Sequence, residues 1–142
     1  KLTILARELG QPLEIGDFPI RSLVPEPLQD CSVDEFLDRL PEHDDEIHAL
    51  YQEATANNRK LRYVATLDAA GTASVGLDGV SDDHPFSNIN LTDNIVQFET
   101  ERYSANPLVV QGPGAGPEVT AAGVFADLLR LANYLSTGEG YV

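Results

Sequence analysis

Apolar residues recur along this chain first at the helical interval, then at the strand interval, then at the helical interval again. Leu2, Leu5, Ala6 and Leu9 stand at i, i+3, i+4 and i+7, and Gly10 follows as a stop signal, so a short amphipathic helix is predicted at the start. A helix that begins without a capping residue is what a chain cut inside an element would show, and a piece of a longer protein is expected on that ground. Residues 10–27 contain four prolines and two glycines, which predicts an irregular connection holding one short strand near residues 20–24. Ser32-Val33-Asp34-Glu35 fits the capping box, with a helix running to about Leu40. A longer helix should follow, because Ile47, Leu50, Tyr51 and Ala54 repeat the helical spacing.

At Leu61 the period becomes two. Leu61, Tyr63, Ala65 and Leu67 alternate with polar or small residues, Asp68-Ala69-Ala70-Gly71 reads as a turn, and Ala73, Val75 and Leu77 resume the alternation. That is a hairpin. Residues 82–90 read as a connection, with further strands at residues 94–100 and 107–110. Gln111-Gly112-Pro113-Gly114-Ala115-Gly116 should break the last strand, and residues 119–135 should form the final helix. Its apolar residues, among them Val124, Phe125, Leu128 and Leu131, cover an arc of about 160°, with Thr120, Asp127, Arg130 and Asn133 opposite. The tail after Ser136 is expected to be frayed. These elements make an α+β chain.

Composition narrows the function classes. The 142 residues are one domain's worth of chain, and no apolar run reaches the ~20 residues of a membrane span. The formal charge of −14 argues against binding a nucleic-acid backbone, which needs clustered Lys and Arg. The single cysteine, Cys31, has no internal partner and implies no oxidising compartment. No export signal is visible, so a cytoplasmic location is expected.

Few residues offer chemistry. His43 and His48 lie about 140° apart on a helix and share no face, and His84 sits in a turn sequence, so no metal site is expected. A strand, then Gly112-Pro113-Gly114-Ala115-Gly116, then a helix puts backbone N–H groups at one exposed point. That arrangement is either a tight turn or a contact for an anion or the polar edge of a cofactor. It is neither a phosphate-binding P-loop nor Gly-x-Gly-x-x-Gly. Lys1, taken alone, is a solvated charge.

Three stretches together resemble homoserine dehydrogenase. They are Lys1-Leu-Thr-Ile-Leu-Ala-Arg-Glu, then Leu61-Arg-Tyr-Val-Ala, then Asn106-Pro-Leu-Val-Val-Gln-Gly-Pro-Gly-Ala-Gly with Val119-Thr-Ala-Ala-Gly-Val-Phe-Ala-Asp. Asp83-His84-Pro85-Phe86 and Asp93-Asn94 extend the likeness, which is most like the bifunctional aspartate kinase–homoserine dehydrogenases of the methionine-associated type. The resemblance implies the C-terminal, catalytic and dimerisation part of an enzyme of threonine and methionine biosynthesis. That enzyme interconverts L-homoserine and L-aspartate 4-semialdehyde with NAD(P), as a homodimer. It implies a mixed β-sheet with helices packed on one face, and a C-terminal helix that returns to an upstream Rossmann domain. Residues 1–110 would then be the substrate-binding and dimerisation region, and residues 111–142 the glycine-rich turn and last helix. Lys1 matches the lysine that gives and takes the substrate's proton. Gly116 matches the glycine that contacts the cofactor, with Gly114 and Thr120 beside it. The Rossmann domain and the substrate-binding acids precede that lysine in the family, so these residues alone are expected to hold no cofactor and to be inactive.

A non-enzymatic module that senses amino acids, or a plain dimerisation scaffold, is the alternative. The glycine-rich turn followed by Val119–Asp127 separates the two, since a sensing domain has no evident reason to carry it.

Overall fold

A computed structural model describes residues 1–90 and 92–137. The chain divides into two compact units, Lys1–Ser87 and Asn88–Val142. The first holds helices α1 (Leu2–Glu8), α2 (Val33–Arg39) and α3 (Asp44–Ala56), then strands β1 (Arg59–Leu67) and β2 (Ala73–Ser81). The second holds β3 (Asp93–Phe98), β4 (Leu108–Pro113) and α4 (Pro117–Thr137). Short 3-10 turns fill parts of the connections. The fold class is α+β, as expected.

In the first unit β1 and β2 form an antiparallel hairpin pairing Leu61 with Gly79, Tyr63 with Leu77 and Leu67 with Ala73. Paired residues share a face, so one face carries Leu61, Leu67, Ala73, Val75 and Leu77. Helices α1 and α3 both contact β1, and Leu2, Phe18 and Ala73 make the core cluster with Leu13, Leu67 and Val75 packed on it. Helices therefore pack on one face of this sheet. The parallel component is a single bridge, Ile20 with Val75, where the sequence predicts a strand over residues 20–24. Arg21 N donates to Val75 O and Val75 N to Pro19 O, but the Ser22 hydroxyl then takes the Val24 N–H. The next ladder donor would be Leu23 N, but the segment instead turns on this Ser22–Val24 bond.

Local signals act largely as expected. Helix α1 ends in a Schellman motif: Gly10, at φ +79°, donates to Arg7 O and Gln11 N donates to Ala6 O. Leu9 falls outside the helix and is 64% exposed, whereas Ala6 is fully buried. The Ser32 hydroxyl accepts from Glu35 N at 3.3 Å, half of the expected capping box, while the Glu35 carboxylate turns to Arg39 instead. A cap of this kind contributes about 1 kcal/mol. In α3, Ala54 is buried but Ile47, Leu50 and Tyr51 are exposed. A cleft of about 870 Å3 separates that face from the hairpin and from the segment around Leu23.

The second unit pairs β3 with β4, Asn94 opposite Gly112 and Val96 opposite Val110. β3 stops at Phe98, short of the expected Thr100, because Thr100 accepts the Tyr103 N–H through both its carbonyl and its hydroxyl. β4 runs three residues beyond the expected end at Val110, so a boundary drawn there falls inside a strand. Gly112 and Pro113 stay in the ladder because β3 supplies partners for both. α4 extends two residues past each end of the expected span. Of the tail expected to fray after Ser136, Thr137 still belongs to α4 and the remainder lies outside the described residues.

The hairpin turn is held by one carboxylate. Asp68 Oδ1 accepts from Thr72 N at 2.8 Å and from Ala70 N at 2.9 Å. The Thr72 backbone bond, followed by the Thr72 hydroxyl and the Ala70 and Gly71 amides, holds the Asp68 carboxyl below its ordinary 3.8. A depressed folded pKa adds stability that is present above the unfolded value and lost as pH falls through the folded one. Asp68→Ala should therefore lower the melting temperature at pH 7, and the gap to the parent should narrow as pH drops below 3.8. Melts at pH 7 and pH 3 test this; a gap independent of pH would mean the carboxylate's charge has no part in the turn.

Candidate functional site

Lys1 stands immediately before α1, exposed, with its carbonyl accepting from Leu5 N at 3.1 Å. The next residue, Leu2, is buried in the core cluster. The helix start is thus pinned from one side while the lysine faces water.

Gly114, Gly116 and Thr120 come together in the second unit, where β4 passes into α4. Pro117 opens the helix, at a position where its missing N–H costs nothing. The first helical bond runs from Thr120 N to Gly116 O at 3.0 Å, so the Glu118 and Val119 amides precede it. Gly116 adopts φ +135°, a conformation side chains rarely take, and a Cβ there would meet nothing within 4 Å. The backbone is therefore open on that side. Gly114 is a glycine for another reason: a Cβ there would lie 1.7 Å from Asn94 Nδ2. Beside it, Gln111 Nε2 donates to Asp93 Oδ2 at 3.0 Å. Two consecutive residues of β3 thus brace the turn. Residue-by-residue reading missed Asn94 as part of this site, although Asp93-Asn94 is among the stretches that carry the resemblance.

The Asp83-His84-Pro85-Phe86 stretch has a structural account. Arg62 donates from Nε to Phe86 O at 2.8 Å and from Nη2 to Ser87 O at 2.9 Å. Ser87 is buried and its hydroxyl donates to Ser81 O, while His84 Nδ1 accepts from Phe86 N at 3.1 Å. The Ser81 hydroxyl, together with Asp83's own backbone N–H, holds the Asp83 carboxyl below its usual range. His43 lies 3.8 Å from Glu46, and His48 bonds to Gln52 on its own helix. Cys31 donates to Leu28 O. The α3 cleft is lined by none of Lys1, Gly114, Gly116 or Thr120.

The Asn94–Gly114 contact makes a sharp test. Gly114→Ala forces the exposed Asn94 side chain or the turn to move and should destabilise the chain by at most about 1 kcal/mol, because both positions lie at the surface. Adding Asn94→Ala opens that space, so the double variant should lose less than the sum of the two singles. Strictly additive losses in denaturant titrations would show that the two side chains do not compete for one volume.

Residues 1–129 match the family model for homoserine dehydrogenase. Among curated proteins, the chain is 50% identical over 137 residues to the chloroplastic bifunctional aspartokinase/homoserine dehydrogenase 2 of Zea mays. It is 48% identical over 137 residues to the corresponding protein 1 of Arabidopsis thaliana, and each alignment covers 95% of this chain and 15% of the relative. The homoserine dehydrogenase of Saccharomyces cerevisiae is 41% identical over 138 residues, 95% of this chain and 38% of that protein. A solved Candida auris structure, described as a protein of unknown function, superposes with a TM-score of 0.82 at 45% identity, over 94% of this chain and 38% of that one. On the family match and these identities, the chain belongs to the homoserine dehydrogenase family.

Proposed function

We propose that this chain carries the proton-transferring lysine and the cofactor-side turn of an NAD(P)-dependent homoserine dehydrogenase, interconverting L-homoserine and L-aspartate 4-semialdehyde. The observation that carries this is the passage from β4 into α4, in a chain of this family. Gly116 leaves its backbone open, and the first amides of a long helix follow at once. Such a point fits the polar edge of a nicotinamide. No side chain stands between backbone and ligand, and the helix's positive end favours an oxygen. Gly116 and Thr120 would hold that end of the cofactor, with Gly114 shaping the turn. When bound, the nicotinamide supplies or accepts the hydride.

Lys1 has the complementary task. Negative charge builds on the substrate oxygen as its carbonyl is reduced, and the Lys1 ammonium donates a proton to it; in oxidation Nζ takes that proton back. The higher identity to the bifunctional plant proteins supports a fused aspartate kinase. These 142 residues alone hold neither the family's dinucleotide-binding domain nor its substrate carboxylates, so by themselves they orient no substrate and are inactive.

Lys1→Ala, in a full-length homoserine dehydrogenase carrying this sequence, should lower turnover by about 10²–10⁴-fold. Steady-state kinetics on the purified variant check this. Turnover equal to the parent's would remove Lys1 from the mechanism.

Partners follow from α4. Val124, Phe125 and Leu128 are 58%, 61% and 57% exposed, and Leu129, Leu131 and Leu135 are exposed beside them. Each large side chain left wet forgoes about 1.5–3 kcal/mol, so the helix as a whole calls for cover. In the full-length protein that cover is the nucleotide-binding domain. The 142-residue chain by itself should cover the face by forming a homodimer. Sedimentation at micromolar concentration should find the dimer, and a clean monomer across that range would refute it.

A further inference from the structure

We propose that Gln11 and the hairpin turn at residues 68–71 seat the helix that bears Lys1, which makes Gln11 a positioning residue for the proton transfer; this rests on the role given to Lys1 above. α1 is a lever of seven residues, about 10 Å long. Its inner side, Leu2 and Ala6, is buried, and Leu2 meets Phe18 and Ala73. Apolar contact of that kind holds the start of the helix by shape alone, since it is non-directional. Hydrogen bonds supply the missing direction at the far end.

Gln11 N donates to Ala6 O at 2.8 Å, tying residue 11 to the last turn of α1. From the same residue, Nε2 reaches across to the hairpin and donates to Ala69 O at 3.3 Å and, more distantly, to Asp68 O at 3.5 Å. The receiving turn is itself stiff, because Asp68 Oδ1 binds the amides of Ala70 and Thr72. Gly71 completes the seat. It lies at φ +88°, a conformation side chains rarely take, and a Cβ there would stand 2.5 Å from Gln11 Oε1, so a side chain at residue 71 would push the Gln11 amide from its place. The Arg7–Glu14 pair spans the same bend, but both side chains are more than half exposed and such pairs contribute little. Orientation thus passes from the hairpin turn through one side-chain amide to α1, and from α1 to Lys1.

Chemistry is sensitive to such seating, since a displacement of about 1 Å can cost about 10²-fold in rate. The test uses a full-length homoserine dehydrogenase carrying this sequence. Gln11→Glu keeps the length of the side chain and removes its donor; Gln11→Ala removes both. Each should lower kcat by about 10- to 100-fold and leave the KM of substrate and cofactor within about twofold. In a Lys1→Ala background neither should lower the residual rate further, because there is no ammonium left to position. Parent-like kcat in Gln11→Glu would overturn the proposal, and so would an equal loss in both backgrounds, which is a general loosening of the fold. Lys1→Ala with undiminished turnover is a separate failure, that of the lysine's own role.

Discussion

The register of the hairpin Arg59–Leu67 with Ala73–Ser81 is the constraint on which the first unit depends. It places Leu61, Leu67, Ala73, Val75 and Leu77 on one face, where α1 and α3 meet the sheet. A slip of one residue would send that whole set to the opposite face, so the register carries the core with it. The turn pins the register. Asp68 N donates to Thr72 O at 3.0 Å, and the Asp68 carboxylate gathers the amides between them. The same turn receives Gln11. One local arrangement therefore sets both the pairing of two strands and the seating of a helix far from it in sequence.

The second unit applies the same logic on a smaller scale. Pairing Asn94 with Gly112 brings the Asn94 side chain over Gly114, two residues further along. Gly114 and Gly116 are thus glycines for unlike reasons. At Gly114 the space is taken, and at Gly116 the space is open but the backbone conformation excludes a side chain. Only the second kind leaves room for a ligand.

Burial is sparse compared with the apolar content of the chain, 42% by composition. Among the described residues the buried apolar side chains are Leu2, Ala6, Phe18, Leu28, Ala54 and Ala73. The large apolar residues of α4 and three of the four residues of the α3 stripe, Ile47, Leu50 and Tyr51, face water. Amphipathic spacing guarantees that a helix has an apolar face, but not that the face finds cover within the same chain.

What the sequence determined by itself was local. The hairpin, the Ser32 cap, the Gly10 stop and the helix after the glycine-rich turn were legible because each depends on contacts within a few residues of chain. The strings shared with homoserine dehydrogenases were legible in the same direct way. Tertiary structure decided the rest. Gly112 and Pro113 read as strand breakers, yet remain in β4 because β3 offers them partners. Residues 20–24 read as a strand, yet reduce to one bridge, and past it the chain turns on the Ser22–Val24 bond. The roles of Asn94 and Gln11 could not be read along the chain at all. Each depends on a distance across the fold, 1.7 Å to a missing Cβ and 3.3 Å to a carbonyl 58 residues away, and spacing in sequence carries no measure of either.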